Sequence, residues 1–155
     1  MKRIIFLLTF VMTVLSGCAQ QQYGDFVEEQ SGPLYHAIAR DVVRHLKDKY
    51  LIGEEGFQVD PEILGALGIE IDLALRQEGY AISTTNGVPL SYVFDQVETD
   101  SGEIYRLSLY IGNSRHNRAY MVNEAGNAIS HSPWTVIYPE PEQGGIEVLA
   151  QGGPR

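Results

Sequence analysis

The side chains best suited to chemistry in this chain are four histidines, one cysteine and a short run of basic residues. His36 and His45 stand nine positions apart, so a helix does not bring them into the i, i+4 geometry of a paired metal site. His116 is flanked by Arg115 and Arg118, whose charges oppose a metal cation. His131 lies in Ser130-His131-Ser132, where adjacency in sequence does not create the nucleophile–base geometry of a hydrolase. Neither a Gly-x-Ser-x-Gly elbow nor a GxxxxGKS/T phosphate loop occurs. The expectation is surface or helix-cap histidines, no catalytic residues, no metal ligands, no cofactor and no enzyme. Carboxylate pairs remain the open route to catalysis, since the chain has 20 acidic residues.

Cys18 is the sole cysteine, which excludes a disulfide within the chain. Lys2 and Arg3 precede an uncharged run from Ile4 to Leu15. That run is too short for a mature helix across a hydrocarbon core of about 30 Å, and it fits the apolar part of an export signal. The following Leu15-Ser16-Gly17-Cys18 resembles the bacterial lipobox. The resemblance implies removal of residues 1–17, acylation of Cys18 with palmitate, and Cys18 as the new N-terminus. Ala19 follows rather than aspartate, which in Gram-negative lipoproteins implies sorting to the outer membrane, facing the periplasm. Loss of residues 1–17 removes two cations and no anion, so the net charge moves from −9 to −11. Residues 18–31 read as a polar, lipidated tether, with Tyr23 and Phe26 as its unusual members.

Arg115-His116-Asn117-Arg118 is the densest basic patch, and the spacing of polar residues puts it in a loop over Gly112–Asn117. Its functional reading is contact with an acidic partner or lipid headgroups. If Tyr110 faces outward with Arg106 and Ser108, it joins Arg115, His116 and Arg118 as a candidate partner contact.

The elements that position these residues follow from periodicity. Leu34, Ile38, Val42 and Leu46 predict a helix over Pro33–Tyr50, capped by Ser31. Asp60-Pro61-Glu62 predicts the start of a second helix, with Leu64, Leu67, Ile71 and Leu75 inward and Gly79 as its C-terminal cap. Gly65 and Gly68 weaken that helix and point to close packing on a sheet. Phe57–Val59 is a short strand. Tyr80–Thr84 is another, and Asn86-Gly87 signals a hairpin. Leu90, Tyr92 and Phe94 share one strand face, and Tyr105, Leu107, Leu109 and Ile111 share another. Strands over 118–123 and 134–138 complete the set. The fold class is α+β: a two-layer domain over residues 32–138, with two helices on a small, mostly antiparallel sheet. Residues 139–155 form a disordered tail.

The chain has 155 residues and is 44% hydrophobic, enough for one globular domain. Its charge of −9 argues against direct nucleic-acid binding, which needs a basic face. The lipobox-like segment, Gly32-Pro33-Leu34, residues 74–82 (Ala-Leu-Arg-Gln-Glu-Gly-Tyr-Ala-Ile), Leu90-Ser91-Tyr92-Val93, residues 105–109, Arg118-Ala119-Tyr120 and residues 132–136 together resemble the TrbH family of conjugal transfer lipoproteins. The resemblance covers about residues 32–138 and rests on the order and spacing of these pieces. It implies a component of a type IV secretion (mating-pair formation) apparatus for plasmid DNA transfer, with an anchoring and assembly role among other transfer proteins. It supplies no catalytic residues. The competing readings are an unrelated outer-membrane lipoprotein, such as a pilotin or exclusion factor, and a tethered periplasmic enzyme.

Overall fold

Leu34, Ile38, Val42 and Leu46 form the buried stripe of helix α1, Gly32–Lys47, in the computed structural model of this chain. The helix stops before the expected Tyr50: the Lys49 amide bonds the Leu46 carbonyl at 2.9 Å in the i→i−3 pattern of a tightened turn, and the Tyr50 amide shares that carbonyl at 2.8 Å. Arg44 and Lys47 occupy its last turn, where cations complement the helix dipole. The structure describes residues 22–27, 32–61, 64–100, 102–124 and 126–139. The signal peptide, Cys18 with its lipobox, the Ser31 cap and the segment from residue 140 onward lie outside the described residues.

Helix α2, Ala66–Glu78, starts later than Asp60-Pro61 predicts, and its N-cap is Gly65. Gly65 has no side chain with which to cap. Two strands supply the missing acceptors. Strand β1, Gly24–Phe26, brings Asp25, whose Oδ2 accepts from the Leu67 amide at 3.0 Å. The Tyr92 hydroxyl accepts from the Gly65 and Gly68 amides at 3.1 and 3.0 Å. A Cβ on Gly65 would collide with the Asp25 carboxylate, and one on Gly68 would lie 2.8 Å from the Tyr92 ring. The two glycines therefore permit the close packing that their positions suggest. Gly79 ends α2 in the left-handed conformation, φ 102°, as the sequence predicts.

The sheet is mixed and larger than expected. Beyond β1 it contains β2 (Gly56–Val59), β3 (Ala81–Ser83), β4 (Val88–Thr99), β5 (Gly102–Ile111), β6 (Ser114–Val122), β7 (Ala128–Ser130) and β8 (Thr135–Ile137). The order is β3-β2-β4-β5-β6-β7; β1 also pairs with β4, and β8 with β6. Pairings β1–β4, β2–β3 and β2–β4 are parallel, and those from β4 through β8 are antiparallel. The fold is α+β; the sheet is larger than the small one expected, and although most of its pairing among the described residues is antiparallel, β1, β2 and β3 add a parallel side.

Three local expectations also change. Asn86-Gly87 makes no hairpin, because β2 lies between β3 and β4 and the chain must cross it. Gly87 takes φ 117° there, and a Cβ on it would sit 2.6 Å from the Gly56 carbonyl oxygen. Residues 24–26 of the expected tether are a sheet strand. The polar stretch 114–117 is the start of β6; the turn before it is Gly112-Asn113 alone.

Both helices lie on the face bearing Leu90, Tyr92, Phe94, Tyr105, Leu107, Leu109, Ile111 and Tyr120, all buried. The opposite face carries Val93, Asp95, Arg106, Ser108, Tyr110, Arg115 and Asn117, exposed or half-buried.

Candidate functional site

Strand alternation divides the basic patch of β6 between the two faces. Arg115 and Asn117 point to the open face, and His116 and Arg118 point under the helices. The register sets Arg115 beside Tyr110 and His116 beside Leu109. The four candidate contacts thus form two separate clusters.

On the open face the Arg115 guanidinium lies 5.6 Å from the Tyr110 ring centre. Its Nε donates to Asn117 Oδ1 at 2.9 Å, and one Nη donates to Ser108 Oγ at 3.1 Å. The Ser108 hydroxyl in turn donates to Asn117 Oδ1 at 2.8 Å. Beside this group Arg106 grips Asp95 through two bonds of 2.7 and 2.8 Å. Tyr23 packs edge-on against Tyr110, with ring centres 5.3 Å apart. Tyr110 does face outward with Arg106 and Ser108. An open groove of about 380 Å³ runs across these residues to Ser132 and Thr135.

Arg118 turns inward. Its Nη1 pairs with Asp41 Oδ2 of α1 at 3.2 Å, and its guanidinium lies 5.4 Å from the Trp134 ring centre. Asp41 Oδ2 also accepts from the Tyr120 hydroxyl at 2.9 Å. Burial, then the Asp41 carboxylate, drives the Tyr120 phenol far above its ordinary range. Tyr92 is raised in the same way, by burial first and by Asp25 second.

His116 is 1% exposed, which corrects the expectation of a surface histidine. Its Nδ1 lies 2.8 Å from His45 Nε2, and its Nε2 lies 2.8 Å from Ser114 Oγ. His45 stacks on Trp134, with centres 4.2 Å apart. Ser114 Oγ also sits 2.9 Å from the Ile111 carbonyl, which only accepts, so the hydroxyl proton goes there. His116 then donates from Nε2 to Ser114 and accepts at Nδ1 from His45. This polarity is the reverse of a base activating a serine nucleophile. His45 is lowered to about 4 by burial first, then by His116 and Lys49; His116 is lowered by burial and Lys49.

His36 is exposed, 3.4 Å from Glu70, and His131 is exposed. Among the described residues no three His, Cys, Asp or Glu side chains gather as a metal site. Sequence reasoning missed Asp25 as the cap of α2, and Asp41 and His45 as partners of β6. The only local signals for them were an acidic residue ahead of the first helix and polar residues on its edge.

No curated protein and no solved structure matches the chain. The family model described as conjugal transfer protein TrbH matches residues 20–140. The matched range begins ahead of β1 and ends just past β8, so it takes in the strand that caps α2 as well as the two-layer body. The match spans well over half of the sequence, and the chain belongs to the TrbH family of conjugal transfer proteins.

Proposed function

We propose that this chain is an outer-membrane lipoprotein of a conjugative type IV secretion (mating-pair formation) apparatus, with an anchoring and assembly role in plasmid DNA transfer. The observation that carries the reading is a TrbH match over residues 20–140 lying directly behind the lipobox-like Leu15-Ser16-Gly17-Cys18. Two or more acyl chains at Cys18 would hold the domain stably at a membrane, where one would not. The partners are the membrane, through that anchor, and other transfer proteins. A net charge of −9 works against a direct grip on the transported DNA. The open sheet face offers a surface for a protein partner.

The test combines labelling with purification. The native chain should incorporate labelled palmitate, fractionate with the outer membrane, and co-migrate with other transfer proteins in a large particle. Cys18→Ser should lose the label and the membrane association. Unchanged labelling of Cys18→Ser would sink the anchor. Recovery of the native chain as a lone small lipoprotein would sink the assembly role and favour a pilotin or an exclusion factor.

A further inference from the structure

The open face differs in charge from the rest of the molecule. The chain carries −9, yet the charged side chains on the open rows of β4, β5 and β6 are Asp95, Arg106 and Arg115. Asp95 and Arg106 neutralise each other through their two-point bond. Arg115 is the surplus cation and pairs with no carboxylate among the described residues. It is nonetheless held in one orientation by Ser108, Asn117 and the Tyr110 ring. Those contacts use Nε and one Nη, which leaves the other Nη to donate outward. A guanidinium already fixed by neutral partners loses little freedom when it meets an anion.

We infer that the open sheet face is a docking surface for an extended, carboxylate-bearing peptide segment of another protein, with Arg115 as its anion contact and Tyr110 as its apolar wall. Charge complementarity selects the occupant: this face is locally positive in an acidic chain. A bilayer of anionic headgroups would also meet the acidic remainder of the chain, which a narrow segment avoids. The extended form follows from the groove itself, which is open and runs across residues of β4, β5 and β6 to Ser132 and Thr135, so that a narrow segment can lie along it. This deepens the assembly reading and rests on its premise that the chain binds a protein. Binding is read on the isolated chain, so its failure is distinct from a failure of lipidation or co-purification.

The experiment uses the full, isotope-labelled chain in zwitterionic detergent and follows the amide resonances of Ser108, Tyr110, Arg115 and Asn117. The probe is a blocked synthetic peptide alternating glutamate and valine. The comparisons are its lysine–valine counterpart and glycerol 3-phosphate. The acidic peptide should shift these resonances saturably, and Arg115→Gln should weaken binding about tenfold. Arg115→Lys, which keeps the charge and loses the planar fork, should recover part of it. Arg115 is exposed, so neither variant endangers the fold. An equal response to the lysine peptide or to glycerol 3-phosphate would overturn the inference, as would no shift or shifts confined to other faces. Two further results overturn it by naming another occupant. Shifts on dilution of the chain alone mean a second copy, and shifts on removal of residues 140–155 mean the chain's own C-terminal segment.

Discussion

His45 Nε2 lies 2.8 Å from His116 Nδ1, a bond that ties the last turn of α1 to the third strand of the antiparallel meander. The two rings stand at 74° to each other, and Trp134 stacks on His45. The chain of donors runs from His45 through His116 to Ser114 and ends on the Ile111 carbonyl. It is complete when both imidazoles are neutral.

That pair makes stability depend on pH. Both folded-state values are lowered, His45 to about 4, so the unfolded chain binds more protons than the folded chain as pH falls. The pair's contribution is fully present above about pH 6.5 and is lost as pH falls toward 4. Discounted for partial exposure and screening, the loss is about 1–2 kcal/mol. Urea unfolding across this range, compared between the native chain and His45→Gln, should show a shallower slope in the variant. Identical slopes would mean that the pair does not titrate as a buried unit.

Tyr92 should matter through its oxygen. Tyr92→Phe removes the acceptor shared by the Gly65 and Gly68 amides and should cost about 1–3 kcal/mol. Gly68→Ala should also destabilise, because the new methyl meets the Tyr92 ring. Chemical denaturation midpoints measure both, and a neutral Tyr92→Phe would show that water replaces the phenol.

Strand β1 should behave as part of the domain. The β1 amide that faces β4 should show slowed hydrogen exchange, and Asp25→Ala should cost about 1 kcal/mol by uncapping α2. Random-coil exchange over 24–26 would restore the reading of this segment as a plain tether.

The two faces of β5 predict opposite outcomes for one substitution. Leu107→Asp buries a carboxylate beneath the helices and should abolish the cooperative thermal transition. Ser108→Asp, one residue along, faces the open side and should leave the melting temperature nearly unchanged. Equal damage from both would mean that the open face is covered.

Much of the body was legible from local pattern. The i, i+4 stripe of α1, the Gly79 stop of α2 and the alternation from Leu90 to Ile111 are properties of neighbouring residues, and neighbours are what a sequence displays. The outward aim of Tyr110 follows from the same alternation. So does the resemblance to TrbH, whose pieces keep their order along the chain.

What the tertiary structure alone decided are relationships between residues far apart. Asn86-Gly87 has the composition of a hairpin, but β2, made some thirty positions earlier, lies where the hairpin partner would go. Gly65 gives no sign of a cap, because its cap is Asp25 from another strand. Ser114 to Asn117 looks like part of a solvated loop because all four residues are polar. His116 within it is buried and Arg118 just beyond it nearly so, since α1 brings His45 and Asp41 to meet them. A buried polar group is stable only beside its partner, and a partner 71 residues away leaves no trace in local periodicity. The sequence by itself therefore determined the elements and their apolar faces, while the fold decided which polar residues are spent inside and which remain on the open face to meet another molecule.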